Sequence, residues 1–161
     1  MSVAGIASGG LRMLSARWAG ERMYEFPRED WFRALADEIN ASEAYRAAAS
    51  DWEGDIAFVI EADPDRGLPD DVWGYLDLWH GECRAARLVT PEAGAEAAFS
   101  ISATYRRWKD VVRGELDPVR AMMQGKLRVR GDLPKILRYV QAAHELVAIC
   151  GTVPTTFPDE A

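Results

Sequence analysis

The sequence predicts an α+β domain: a three-strand antiparallel meander plus two further strands, with short amphipathic helices before, between and after them. Three observations carry this. Apolar residues alternate with period two in five segments between Asp55 and Arg130, the spacing of half-buried strands. They recur every three or four residues around Trp31, Trp108 and Val140, the spacing of helices lying on a core. Caps and stops separate the two kinds, with Ser42, Thr104, Asp117 and Asp132 ahead of helices and Gly114 and Gly125 behind them.

Residues 1–25 form an N-terminal extension rich in Gly, Ala and Ser. No charge precedes its apolar stretch, and Arg12 and Arg17 interrupt it, so it does not read as an export signal. A helical turn or two is expected around Leu11 to Met23. The first firm helix opens at Pro27, with Glu29 and Asp30 at the positive end of its dipole and Trp31, Leu35 and Ile39 as its stripe. Asn40 ends it, and Ser42 caps a shorter helix running towards Ser50. The first strand sets Ile56, Phe58 and Ile60 on one side and Ala57 and Val59 on the other. A Pro/Asp/Gly-rich loop, Asp63 to Asp71, leads into the second strand, Val72 to Trp79, where Trp73, Tyr75 and Trp79 alternate against Leu76 and Leu78. His80-Gly81-Glu82 turns the chain into a third strand, Arg84 to Val89.

After a turn from Pro91 to Glu96, Ala97, Phe99, Ile101 and Ala103 share one face of a fourth strand. A helix from Tyr105 to Arg113 presents Tyr105, Trp108 and Val112 together, and Asp117-Pro118 opens a second that carries Met122 and Met123. The fifth strand, Lys126 to Arg130, turns Leu127 and Val129 inward and Lys126, Arg128 and Arg130 outward. A last helix, opened by Asp132 and Pro134, aligns Ile136, Val140, Ala143 and Val147, and residues 151–161 follow as an extended tail.

A chain of 161 residues, 48% hydrophobic and 28% charged, is one soluble globular domain with a core of its own. It contains no run of eighteen apolar residues to span a membrane. Six tryptophans indicate large apolar surfaces to fill. Cys83 and Cys150 are too few for a disulfide scaffold and point to a reducing cytoplasm. A net charge of −7 argues against nucleic acid as a partner. The charge is uneven, however: between Thr104 and Arg138, ten Lys or Arg stand against four Asp or Glu. The stripe of Lys126, Arg128 and Arg130 can dock an anionic membrane surface, the phosphates of an acyl-CoA or a partner enzyme. It can equally be a solvated face that discourages edge pairing.

The common catalytic and cofactor motifs are missing: there is no Walker loop, no GxGxxG after a strand and no GxSxG elbow. The loop Asp63-x-Asp65-x-Gly67 begins like a calcium loop, but its twelfth position is Gly74 rather than a bidentate Glu. His80-x-x-Cys83 and His144 with Cys150 offer soft ligands, yet the second pair lies six apart near a helix end and does not match a structural zinc site. No cofactor and no metal are expected. No two carboxylates are placed for acid–base work, which leans against an enzyme.

The stretch DPVRAMMQGKLRVRGD, Asp117 to Asp132, resembles the sterol carrier protein-2 family, whose members carry a similar Gly-Lys-apolar-x-apolar-x-Gly-Asp segment after a short Asp-Pro helix. The preceding AAFSISAT strand and YRRWKDVVRGEL helix fit the same pattern. With the upstream meander, the likeness covers Phe26 to Val147. It implies a five-stranded mixed sheet with helices packed on one face, enclosing an apolar tunnel. Family members bind sterols, fatty acids and fatty acyl-CoAs there without catalysis, and related domains attached to alkylsulfatases hold an aliphatic chain. The chain departs from eukaryotic members in ending Pro158-Asp159-Glu160-Ala161, without a peroxisomal tripeptide, and in its longer N-terminal extension. Sixteen Arg to three Lys, with abundant Ala, points to a GC-rich bacterial genome.

On this reading residues 26–150 are a lipid-binding domain and the protein a non-catalytic carrier of a fatty acid, fatty acyl-CoA or sterol-like molecule. The candidate tunnel lining is Phe99, Ile101, Trp108, Val112, Met122, Met123, Ile136 and Val140, chosen by facing rather than carried over from the family, with Phe157 as a lid. Two alternatives stay open. One is an accessory interaction module whose tunnel has collapsed and whose basic stripe docks a partner enzyme. The other is an enzyme on lipid thioesters using His144 or a cysteine.

Overall fold

The central strand of the molecule is β2 (Glu53–Glu61), and the sheet builds outward from it. The structure, a computed structural model, describes residues 22–160. β3 (Val72–Trp79) pairs antiparallel with β2, with Ile56 opposite Leu76 and Phe58 opposite Gly74. β4 (Glu82–Leu88) pairs antiparallel with β3 through an irregularity between Leu76 and Leu78. On the other side β5 (Phe99–Thr104) runs parallel to β2, with Ile56 opposite Phe99 and Phe58 opposite Ile101. β6 (Arg128–Arg130) closes that edge antiparallel, with Val129 opposite Ile101. The order is β4-β3-β2-β5-β6, a mixed five-stranded sheet. The tight turn into β4 holds His80 at φ 51° and Gly81 at φ 81°, a left-handed pair whose twist suits a two-residue hairpin.

One face of the sheet carries the helices. α1 (Glu29–Asn40), α2 (Glu43–Ala48), α4 (Tyr105–Val112), α5 (Pro118–Met123), α6 (Leu133–Leu137) and α7 (Val140–Cys150) cover it. The expected caps are in place. The Ser42 hydroxyl accepts from the Tyr45 N–H at 3.0 Å, and the Thr104 hydroxyl from the Arg107 N–H at 3.2 Å. The Asp117 and Asp132 carboxylates accept from the Val119 and Lys135 N–H groups. α1 also brackets the edge strand β4. The Asn40 side chain donates to the Cys83 carbonyl at 3.0 Å and accepts from its N–H at 2.8 Å, and Glu29 accepts from the Leu88 N–H. An edge tied in this way is a poor template for a further strand.

The opposite face is not bare. Ala57 and Val59 are buried there, as Ile56 and Ile60 are on the helix side. The connection from β4 to β5 crosses it, and the short α3 (Pro91–Gly94) within that crossover brings Gly94 against the Trp73 ring. The sequence showed only a turn in this stretch, because a four-residue helix is too short to display a period.

Three other details differ from expectation, and a fourth falls largely outside the described residues. α1 starts at Glu29 rather than Pro27, because Arg28 is extended (φ −79°, ψ 165°) and its N–H donates back to the Glu25 carbonyl. The fifth strand is shorter than Lys126–Arg130, since the Lys126 and Leu127 N–H groups return to the Ala121 carbonyl at the end of α5. The final helix is two helices, broken at Tyr139 (φ −116°, ψ 44°). The expected turn around Leu11–Met23 lies outside the described residues, save Arg22 and Met23, which precede β1 (Tyr24–Glu25).

The tail returns to the body. β7 (Thr155–Thr156) pairs parallel with β1, and the Trp31 indole donates to the Thr155 hydroxyl at 2.9 Å. Val153 and Phe157 are buried.

Candidate functional site

Between the sheet and its helical cover lies a cavity of about 130 Å³. Ile56, Phe58 and Ile60 of β2, Leu76 and Leu78 of β3 and Ile101 of β5 make its floor. Ala142, Ala143, Leu146, Val147 and Cys150 of α7 make its roof, with Met122 of α5 and Ile136 of α6 beside them. The floor runs from Trp52, just ahead of β2, to Ile60, about 26 Å of extended chain. Phe58 sits mid-strand at the centre of the sheet yet is only partly buried, since its ring faces this hollow.

Two local features keep the space open. Gly74 stands opposite Phe58 on the helix-facing side and has no side chain, so the Phe32 ring of α1 settles on it. On α7 the small side chains of Ala142 and Ala143 face inward where larger ones would fill the gap.

The lining contains no Lys, Arg, His, Asp or Glu, and most of its few polar atoms are already engaged. The Trp52 indole donates to the Gly54 carbonyl at 2.8 Å, and Trp108 to the Val59 carbonyl at 2.9 Å. The Tyr139 hydroxyl reaches the Asp51 carbonyl at 3.5 Å while its ring meets Trp52 edge-on at 5.0 Å. The wall therefore offers carbon to an occupant.

The candidate lining residues divide. Ile101, Trp108, Val112, Met122 and Ile136 line the cavity; Phe99, Met123 and Val140 do not. Phe99 is buried beyond the cavity, its ring 5.3 Å from Trp52 and packed on Gly54. Met123 is 70% exposed, because adjacent residues on a helix point about 100° apart and Met122 already faces inward. Val140 is 38% exposed, because the break at Tyr139 resets the helical phase. Phe157, the candidate lid, instead fills a gap behind Phe26 (ring centroids 6.1 Å apart) beneath the Lys109 ammonium. The sequence reading missed α7's inner face and the aromatic side chains of α1, Trp31 and Phe32, whose stripe reads equally as plain core.

The groups weighed for chemistry lie apart from one another. Burial pushes the Cys150 thiol up to about 12 and the Cys83 thiol to about 11, so neither is a thiolate near neutrality. His144 pairs with Asp117 at 3.0 Å, and His80 pairs with Glu53 at 2.6 Å and stacks on Trp79. Among the described residues, no three His, Cys, Asp or Glu side chains gather where they could hold a metal ion. Within the basic stripe, Arg128 is paired with Glu61, and Arg130 donates to the Ser100 hydroxyl and the Ala97 carbonyl. Lys126 is exposed.

These features define a class, a small α+β domain whose mixed sheet and helical roof enclose an apolar, charge-free cavity. The model of the SCP-2 sterol transfer family matches residues 32–144, and the chain belongs to that family. The chain is similar to a structure described as the crystal structure of sterol carrier protein 2, at 44% identity and TM-score 0.72 over 78% of this chain and 96% of the other. It is similar to a Thermus thermophilus protein described as possibly a sterol carrier protein, at 43% identity and TM-score 0.72 over 80% and 89% of the two chains. Sterol carrier protein 2 from Yarrowia lipolytica shares the fold at 18% identity and TM-score 0.51, over 74% of this chain and 88% of that one. No curated protein matches. The family is one of lipid binding and transfer, generally without catalysis. Among the described residues no helix is long and apolar enough to cross a membrane.

Proposed function

We propose that residues 26–150 hold an apolar lipid in the cavity between sheet and helices, and that the protein carries this lipid without changing it. The observation that supports this most is the lining itself, which holds no charged side chain, in a chain of this family. Burying a methylene is worth about 0.8 kcal/mol, so a twelve-carbon chain gains about 10 kcal/mol before its ordering costs. A dry apolar cavity of about 150 Å³ already takes up benzene, so the hollow here accepts a ring or part of an alkyl chain as it stands. Met122, with its adaptable thioether, lets the wall give way to more. The ligand is a fatty acid, a fatty acyl-CoA or a sterol-like molecule, and a charged end stays outside, because inside it would have no partner. Protonated thiols, and a cavity lining that includes neither His80 nor His144, support a carrier over a thioester enzyme. Two free cysteines suit a cytoplasmic setting.

Native mass spectrometry of the gently purified protein tests the proposal. A retained mass that solvent extraction identifies as a lipid supports it. A clean apo mass, together with no uptake of an added fluorescent fatty acid, overturns it.

A further inference from the structure

Met123 is the most exposed large apolar side chain among the described residues, at 70%. It stands on α5, where Met122 beside it lines the cavity, so one six-residue helix separates the hollow from this outer side. Arg120 is exposed one turn before Met123, on the same side of the helix. Lys126 is exposed just past the helix and tied to it, its N–H donating to the Ala121 carbonyl at 2.8 Å. Arg107 of α4 reaches the Lys126 carbonyl at 3.4 Å and adds a third cation. On α7, Val140 is half-exposed and shares a face with His144, which bonds Asp117 at the start of α5.

Charge sets this side apart. Residues 118–144 hold six Lys or Arg and one Asp, in a chain where Asp and Glu outnumber Lys and Arg by 26 to 19. Elsewhere the cations are matched: Arg28, Arg33, Arg66, Arg84, Lys109 and Arg113 each pair with a carboxylate. Among the described residues Arg107, Arg120 and Lys126 form no ion pair, and Asp117 is taken by His144. At physiological salt the Debye length is about 8 Å, so an approaching surface feels these near charges rather than the net −7. We infer that this face docks the protein on an anionic lipid surface, with Met123 entering the headgroup layer and Arg107, Arg120 and Lys126 on its phosphates. A lipid then passes between bilayer and cavity beside α5. One thioether and three cations make a weak anchor, which lets a carrier leave again. The inference rests on the cavity's being a lipid site and adds the surface through which it is loaded.

The test is flotation of the chain with phosphatidylcholine vesicles, with and without phosphatidylglycerol. The expected result is binding to the anionic vesicles alone, released at about 1 M salt, where the Debye length falls to about 3 Å. Met123→Ser should weaken binding about tenfold, and Arg120→Gln with Lys126→Gln about thirtyfold. Arg87→Gln, at an exposed position on β4, should leave it unchanged. In free solution every variant should still take up the fluorophore N-phenyl-1-naphthylamine and release it to 1-decanol, since none of these residues lines the cavity. No binding to anionic vesicles overturns the docking while fluorophore uptake leaves the lipid site standing, and so does a loss as large in Arg87→Gln as in the face variants. A chain that ignores vesicles but forms a dimer that Met123→Ser splits would assign the face to a second copy and overturn the docking too. If the unaltered chain takes up no fluorophore, the lipid site falls, and the inference with it.

Discussion

A β-carbon at position 74 would overlap the Phe32 ring at Cζ, well inside van der Waals contact. Gly74→Ala should therefore drive the Phe32 ring into the cavity. Overpacking of this kind costs about 1–3 kcal/mol, read as a lower urea midpoint accompanied by weaker uptake of an apolar fluorophore. Met122→Glu sets a carboxyl on the same wall with no partner. It should abolish displacement of a fluorescent fatty acid while far-UV circular dichroism stays unchanged; unaltered displacement would contradict the lining drawn here. For Cys150, a thiol near 12 against an ordinary 9.0 has about a thousandfold less thiolate at mildly alkaline pH. Iodoacetamide should label it more slowly than a free cysteine, though by less than that factor, because a thiolate of higher pKa is the better nucleophile. Side-chain facing was legible wherever an element is long and regular: Ile101, Trp108 and Met122 follow from their strand and helices. Tyr45, which also lines the cavity, was not legible, because one aromatic on a six-residue helix shows no period.

Among the elements, α6 and α7 show what periodicity misses. Ile136, Val140, Ala143 and Val147 fit one helical stripe, yet the chain kinks at Tyr139 to lay that ring on Trp52 and to bring Ala142, Leu146 and Cys150 over the cavity. The tail is a second instance. It reads as an extended tail, but Asp159 accepts from Tyr105 at 2.7 Å and from Lys109 at 3.1 Å, and Glu160 accepts from Arg113 at 3.0 Å. Burial pushes the Asp159 carboxyl up, but the hydrogen bonds from Tyr105 and Lys109 and the Lys109 charge outweigh it and hold the group below its ordinary 3.8. A carboxyl held low in the folded state stabilises it above the unfolded value and loses that contribution as pH falls through the folded one. Asp159→Asn should cost about 1 kcal/mol at neutral pH. It should also flatten the acid limb of the stability curve below the ordinary 3.8, measured by urea titration at several pH values. Amide exchange at Thr155 and Thr156, where the tail pairs with β1, should quicken in the same variant.

For the molecule as a whole, a ligand that binds only the folded chain stabilises it by mass action. At a hundred times its dissociation constant the gain is about 2.7 kcal/mol. For a domain of this length that is a rise in Tm of about 5–10 °C. Thermal scans with and without 1-decanol should show it, and an unchanged Tm at saturating fluorophore displacement would contradict binding to the folded state alone.

The five strands of the main sheet, the helix caps and the family likeness at Asp117 to Asp132 could be read from residue spacing, because each is a local property of a few neighbours. The partnership of β2 with β5 rather than with β6, the crossover past Trp73 and the return of the tail to β1 could not, because they join residues far apart in sequence. The cavity belongs to that second group. It exists because a missing side chain at Gly74, small ones at Ala142 and Ala143 and a kink at Tyr139 meet in one place, and no single stretch of sequence holds all of them.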